Sequence, residues 1–142
     1  MKDLFEVLHI VSAVFLIGPL AILPMTALRA LRAGQGALVR YLTRTTAIVA
    51  WLSLLVAVFG FGLMAFEEDL TFTTPWFLAS IILYSLAITI ALTFVVPLLY
   101  KAAGQLGDGR LAMDYRTTAV LSGLTTLLLV VVAVLMVWRP GT

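Results

Sequence analysis

The chain has 142 residues, 63% of them hydrophobic and 11% charged, against about 45–50% apolar and about 25% charged in soluble domains. A water-soluble fold of this length has too little interior for so much apolar side chain, so a lipid bilayer is the expected surrounding. The chain holds no cysteine, which excludes disulfides, thiolate metal sites and cysteine nucleophiles within it, and its net charge of +2 does not point to nucleic acid.

The N-terminus, Met1-Lys2-Asp3-Leu4-Phe5-Glu6, mixes one lysine with two acids. The apolar run that follows, Leu4–Leu28, is longer than the core of a cleavable leader and ends in arginines, so it reads as a first membrane span. A loop with Arg29, Arg32, Arg40 and Arg44 and no acid comes next. The second span, Thr45–Phe66, runs into Glu67, Glu68 and Asp69. The third, Pro75–Tyr100, leads to Lys101, Asp108, Arg110, Asp114 and Arg116, and the fourth is Thr117–Trp138. Each stretch suffices to cross about 30 Å of hydrocarbon at about 1.5 Å per residue. Helices are expected, because a short chain in lipid must satisfy its backbone polar groups internally and no alternating strand pattern is present.

Seven of the nine basic residues fall in the first and third connections, with Lys2 and Arg139 apart. The positive-inside rule makes those loops cytoplasmic and puts both termini and the acidic turn outside. Arg29, Arg32, Arg40 and Arg44 are topology signals that also suit anionic headgroups. Tyr41, Trp76, Tyr100, Tyr115 and Trp138 lie near span ends, as interfacial rings do, whereas Trp51 is deeper and reads as a packing residue. Pro19, Pro24 and Pro97 lie inside spans, and Gly18-Pro19 is expected to bend the first helix.

The two halves echo each other. Ala33-Gly34-Gln35 recurs 70 residues later as Ala103-Gly104-Gln105, and Arg44-Thr45-Thr46-Ala47 recurs 72 residues later as Arg116-Thr117-Thr118-Ala119. Pro24 and Pro97 are 73 apart. The expected architecture is therefore all-α: one transmembrane domain, 1–142, a four-helix bundle of two parallel duplicated hairpins, 1–72 and 73–142. Ser85, Thr89 and Thr93 on the third helix and Thr118, Ser122 and Thr126 on the fourth form small-residue stripes. These are expected to meet inside the bundle or, alternatively, to face a partner subunit.

His9 is the one histidine, two turns into the first helix, with Glu6 and Ser12 on the same face. One reading has it reaching headgroups or bonding a neighbouring helix. The other makes it an axial haem ligand, with Met64 or Met136, both near the same membrane face, as the second donor. Glu67, Glu68 and Asp69 read as a solvated turn. The serines and threonines have no base close in sequence, and the Gly34–Gly36 and Gly104–Gly109 segments lack a phosphate loop's lysine. No catalytic set emerges, and the reading leans against an enzyme.

The stretch from Leu8-His9 through Gly18, then Leu23-Pro24 and Leu28-Arg29-Ala30, resembles a family of bacterial membrane proteins, domain of unknown function 2269. Thr74-Pro75-Trp76, Val96-Pro97-Leu98 and Val137-Trp138-Arg139-Pro140 fit it too. The resemblance implies a four-helix integral membrane protein without an assigned activity. Leu8-His9 and Leu23-Pro24 are also similar to the first helix of small membrane protoporphyrinogen oxidases and copper-resistance protein D-like proteins, where the histidine is linked to haem. Those oxidases have arginine after the proline, where this chain has Met25, and carry further histidine, where this chain has none. Three functions are thus expected in descending order. They are an accessory or scaffold subunit of a membrane complex, a respiratory one included, with a protein partner or a second copy; a haem-binding electron-transfer or porphyrin-related protein using His9; and a small transporter. The expected location is a bacterial plasma membrane.

Overall fold

The computed structural model describes residues 1–107 and 115–140, all helix and turn among those residues. Asp108, Gly109, Arg110 and Asp114 of the third connection lie outside the described residues. Among the described residues, four helices are long and apolar enough to cross a membrane: α1 (Lys2–Arg32), α2 (Gly36–Met64), α3 (Pro75–Gln105) and α4 (Tyr115–Trp138). The shortest has 24 residues, about 36 Å of helix. The chain is thus a multi-pass membrane protein.

The helices run past the apolar stretches at the end rich in arginine, here called the basic end. Arg29 and Arg32 occupy the last turn of α1, where cations offset the helix dipole. There α1 stops in a Schellman motif: Gln35 N–H donates to the Ala30 carbonyl at 3.0 Å and Gly34 N–H to the Leu31 carbonyl at 3.1 Å. Gly34 has φ +72°, a left-handed conformation that glycine adopts at no steric cost. This turn folds α2 directly back on α1. Pro75 opens α3 at its first helical position, where the missing N–H has no intrahelical acceptor to serve.

The helices form a ring in chain order, with α1 against α2, α2 against α3, α3 against α4, and α4 against the second half of α1. The buried core lies in the basic half, around Leu20, Leu31, Val39, Val95, Leu99 and Leu129. Toward the other end, the acidic end with Glu67–Asp69, Met1 and Pro140, the two hairpins part. The Lys2–Ser12 segment contributes no buried residue and Leu54–Met64 contributes only Val56. Phe15, Ile22, Val58 and Val120 are among many large apolar side chains exposed on the outside, where hydrocarbon solvates them.

The backbone departs from α geometry where the packed half meets the parted half. Ala13–Ile17 and Ala91–Val95 are π-helical, closed by i→i−5 bonds from Gly18 N–H to the Ala13 carbonyl and from Val96 N–H to the Ala91 carbonyl. Each lies just before a proline, Pro19 or Pro97, whose ring removes a donor that the wider turn compensates. Pro24 is buried within regular α-helix, so the backbone feature at Pro97 recurs at Pro19 and not at Pro24. In α2 the regular helix breaks at Ser53.

Three side-chain placements differ from expectation. Trp51 is 63% exposed on the outside of α2, whereas Trp76 is 6% exposed and packs edge-on to Phe77. Depth along a span told nothing about the face. The two polar stripes do not meet. Thr118 and Ser122 are buried, and Thr126 donates to the Ala21 carbonyl of α1 at 2.7 Å. Ser85 is exposed on the wall of the space between the hairpins, Thr89 and Thr93 are exposed outside it, and the Thr89 and Thr93 hydroxyls donate to the carbonyls four residues back in their own helix. Satisfied locally, the Thr89 and Thr93 hydroxyls need no polar partner on another helix.

Candidate functional site

Where the hairpins part, they leave a half-open cavity of about 1050 Å³ between them. Each helix supplies one face to it through helical spacing. On α1 the stripe is Glu6, His9, Ile10, Ala13 and Ile17, and on α2 it is Val56, Ala57, Gly60 and Met64. The facing walls carry Trp76, Phe77, Ser80 and Tyr84 from α3 and Leu129, Val132, Ala133 and Met136 from α4. The cavity is thus largely apolar with a few convergent polar groups, the usual character of a small-molecule site.

His9 Nδ1 lies 2.9 Å from the Val56 carbonyl oxygen. A carbonyl only accepts, so Nδ1 carries the proton and, in the neutral ring, Nε2 keeps the lone pair. The imidazole lies against α2 because residue 60 is glycine: a Cβ there would be 3.0 Å from His9 Cε1. Glu6 shares the cavity wall with His9, while the Ser12 hydroxyl bonds the His9 backbone carbonyl at 3.1 Å and not the ring. Met64 and Met136, half-buried, line the same cavity. The structure therefore brings His9, Met64 and Met136 to one space from three helices.

Further contacts join α1 to α2 near the mouth. Lys2 Nζ pairs with Glu67 at 2.9 Å, and Phe5 packs on Phe66 with ring centroids 5.7 Å apart. Across the cavity, Arg139 follows the last residue of α4, its backbone left-handed with φ 48°. Its guanidinium lies 5.6 Å from the centre of the Trp76 ring. The Trp76 indole Nε1 is buried, with no hydrogen-bond partner among the described residues. Deeper in, Ser53 donates to the Ala50 carbonyl at 2.6 Å, which leaves its oxygen to accept from Tyr84 Oη at 2.8 Å.

Arg29, Arg32, Arg40 and Arg44 are exposed at the opposite, basic end and take no part in the cavity. Arg32 stacks on Tyr115 at 5.0 Å. Reading the sequence missed Tyr84, Ser53, Gly60 and the buried, unpartnered indole N–H of Trp76. A signal was present for one group: Trp76, Ser80 and Tyr84 recur at i, i+4 and i+8, a polar-tipped stripe on an otherwise apolar helix.

A family model described as predicted integral membrane protein (domain of unknown function 2269) matches residues 3–140. No curated protein matches the chain, and no solved structure matches it.

Proposed function

The chain belongs to this family of predicted integral membrane proteins, domain of unknown function 2269, and from that premise we propose that it binds a tetrapyrrole of the haem class in the cavity at its acidic end. The observation that carries the reading is the His9 ring, oriented by the Val56 carbonyl at 2.9 Å with its Nε2 lone pair left for a metal. Metal-binding histidines have this arrangement, one ring nitrogen on a backbone carbonyl and the other on the metal. The donor set fits haem. An imidazole is joined in the cavity by the thioethers of Met64 and Met136, and a His/Met pair is a known axial set. The space is of cofactor size, since ligand pockets run about 300–1,000 Å³. Haem, when bound, supplies one-electron chemistry. His9 would hold and orient the group, with the apolar walls of the cavity against its ring.

The test is the absorption spectrum of protein purified from cells supplied with haem. A Soret band in the wild type, lost or shifted in His9→Ala, supports the reading. A wild type without such a band, even after added haemin, overturns it.

One observation favours the accessory-subunit reading. Thr89 and Thr93 present small side chains on the outer surface of α3, a surface that suits close approach of another transmembrane helix. Stable co-purification of a second membrane protein in mild detergent, lost on Thr89→Leu, supports it. A wild type that runs only as a free monomer counts against it. We place the basic end in the cytoplasm of a bacterial cell and both termini outside, on the charge asymmetry of the loops. The paired motifs support reading the chain as two duplicated hairpins, 1–72 and 73–142.

A further inference from the structure

We propose that the N-terminus of α3, at the mouth of the cavity, is a carboxylate subsite that selects an amphipathic ligand with an acidic head; this rests on the cavity being a ligand site. Three donor features converge there. The first is the helix end. Thr74 makes no side-chain cap to α3, and its hydroxyl accepts instead from Thr71 N–H at 3.1 Å. The first intrahelical bond is from Leu78 N–H to the Thr74 carbonyl, so the N–H groups of Trp76 and Phe77 precede it and carry the positive end of the helix dipole.

The second feature is independent of the helix end. Trp76 is 6% exposed and lines the cavity, yet its Nε1–H has no partner among the described residues. An indole N–H is a donor only, and leaving one unpaired away from water is costly. A ligand acceptor removes that cost. The third feature is the Arg139 guanidinium, 5.6 Å from the centre of the same indole ring and also part of the cavity wall. A helix N-terminus, an orphan N–H and a guanidinium together are the chemistry of an anionic oxygen site.

The acids of the cavity narrow the ligand further. Glu6, Glu67 and Asp69 line it as well, and Glu67 is paired with Lys2. The negative charge of these acids disfavours free small anions. A carboxylate enters when an apolar body, seated between the hairpins, places it at the Trp76 corner. The ligand class is therefore an apolar molecule with a carboxylate at one edge, which a porphyrin with propionate arms satisfies.

The test compares haemin with its dimethyl ester, which keeps the ring and iron but has no carboxylate, by titration into protein in nanodiscs. Trp76→Phe is expected to weaken haemin about tenfold, the equivalent of about 1.4 kcal/mol, and to leave the ester within about twofold of wild type; Arg139→Gln is expected to act in the same direction. His9→Ala is expected to weaken both ligands. Trp76→Phe that leaves haemin unchanged, or that weakens both ligands equally, overturns the subsite. If the wild type takes neither porphyrin, the haem reading has failed, and a fluorescent long-chain carboxylate and its methyl ester decide the subsite. A preference for the acid that Trp76→Phe abolishes supports it, and no preference, or no binding of either, overturns it.

Discussion

Tyr84 Oη and Ser53 Oγ meet at 2.8 Å where the regular helix of α2 breaks opposite α3. The Ser53 proton is committed to the Ala50 carbonyl, so Tyr84 is the donor. The bond ties the first hairpin to the second at the level where the buried core gives way to the cavity. Interhelical hydrogen bonds in membranes average about 0.6 kcal/mol and reach about 1.7, and Tyr84→Phe should cost an amount in that range. Unfolding in mixed SDS micelles measures it. Ser53→Ala should cost a similar amount, and the double variant little more than either, since both remove one bond.

The close approach of α1 to α2 depends on glycine. A Cβ on Gly62 would lie 2.5 Å from Phe5 Cε1, so Gly62→Ala must displace the Phe5 ring from its place beside Phe66. Overpacking of this kind costs about 1–3 kcal/mol. In a Phe5→Ala background the same change should cost less than about 0.5 kcal/mol, the non-additivity expected of touching residues. Gly123 serves as the control, because a Cβ there would meet nothing within 4 Å. Gly123→Ala should be neutral or stabilise by up to about 1 kcal/mol. The same unfolding assay reads all four variants.

Two threonines with similar local bonding should behave differently. Thr126 donates across helices to the Ala21 carbonyl at 2.7 Å, whereas exposed Thr89 bonds only the Ser85 carbonyl of its own helix at 2.7 Å. Thr126→Val should lower stability by about 0.6–1.7 kcal/mol. Thr89→Val should change it by less than about 0.5 kcal/mol, because lipid accepts the added methyl and no partner is lost. Equal losses in the unfolding assay would contradict the outward placement of the α3 stripe.

The spans and their ends were legible in the sequence because hydropathy and charge report the medium directly: the apolar runs and the arginines around Gly34 fell where the helices and their turn lie. The faces were not. Leu54–Met64 and Pro75–Ile90 are apolar on nearly every side, so hydropathy alone did not separate their inward from their outward faces or mark Trp76 as buried. Spacing identified both polar stripes, but a threonine hydroxyl that bonds its own helix leaves no trace in sequence of whether it faces lipid or a neighbour. His9 stood out as a lone histidine in an apolar run. Its partner did not, because the acceptor is the backbone of Val56, 47 residues away, and every residue has a carbonyl. The prolines marked three sites of broken hydrogen bonding, yet only Pro19 and Pro97 of the three carry a π-helical turn before them.

Substituted-cysteine labelling tests most directly the claim that two hairpins pack at the basic end and part into a cavity at the acidic end. The chain has no cysteine of its own, so single substitutions can be compared in membranes with a water-soluble thiol reagent. Ala57 lines the cavity, Val58 faces outward and Ala87 is in the packed core. The fold predicts that Ala57→Cys is labelled, and protected by haemin, while Val58→Cys and Ala87→Cys stay inert, one shielded by lipid and the other by protein. An unreactive Ala57→Cys beside a labelled Ala87→Cys would contradict it.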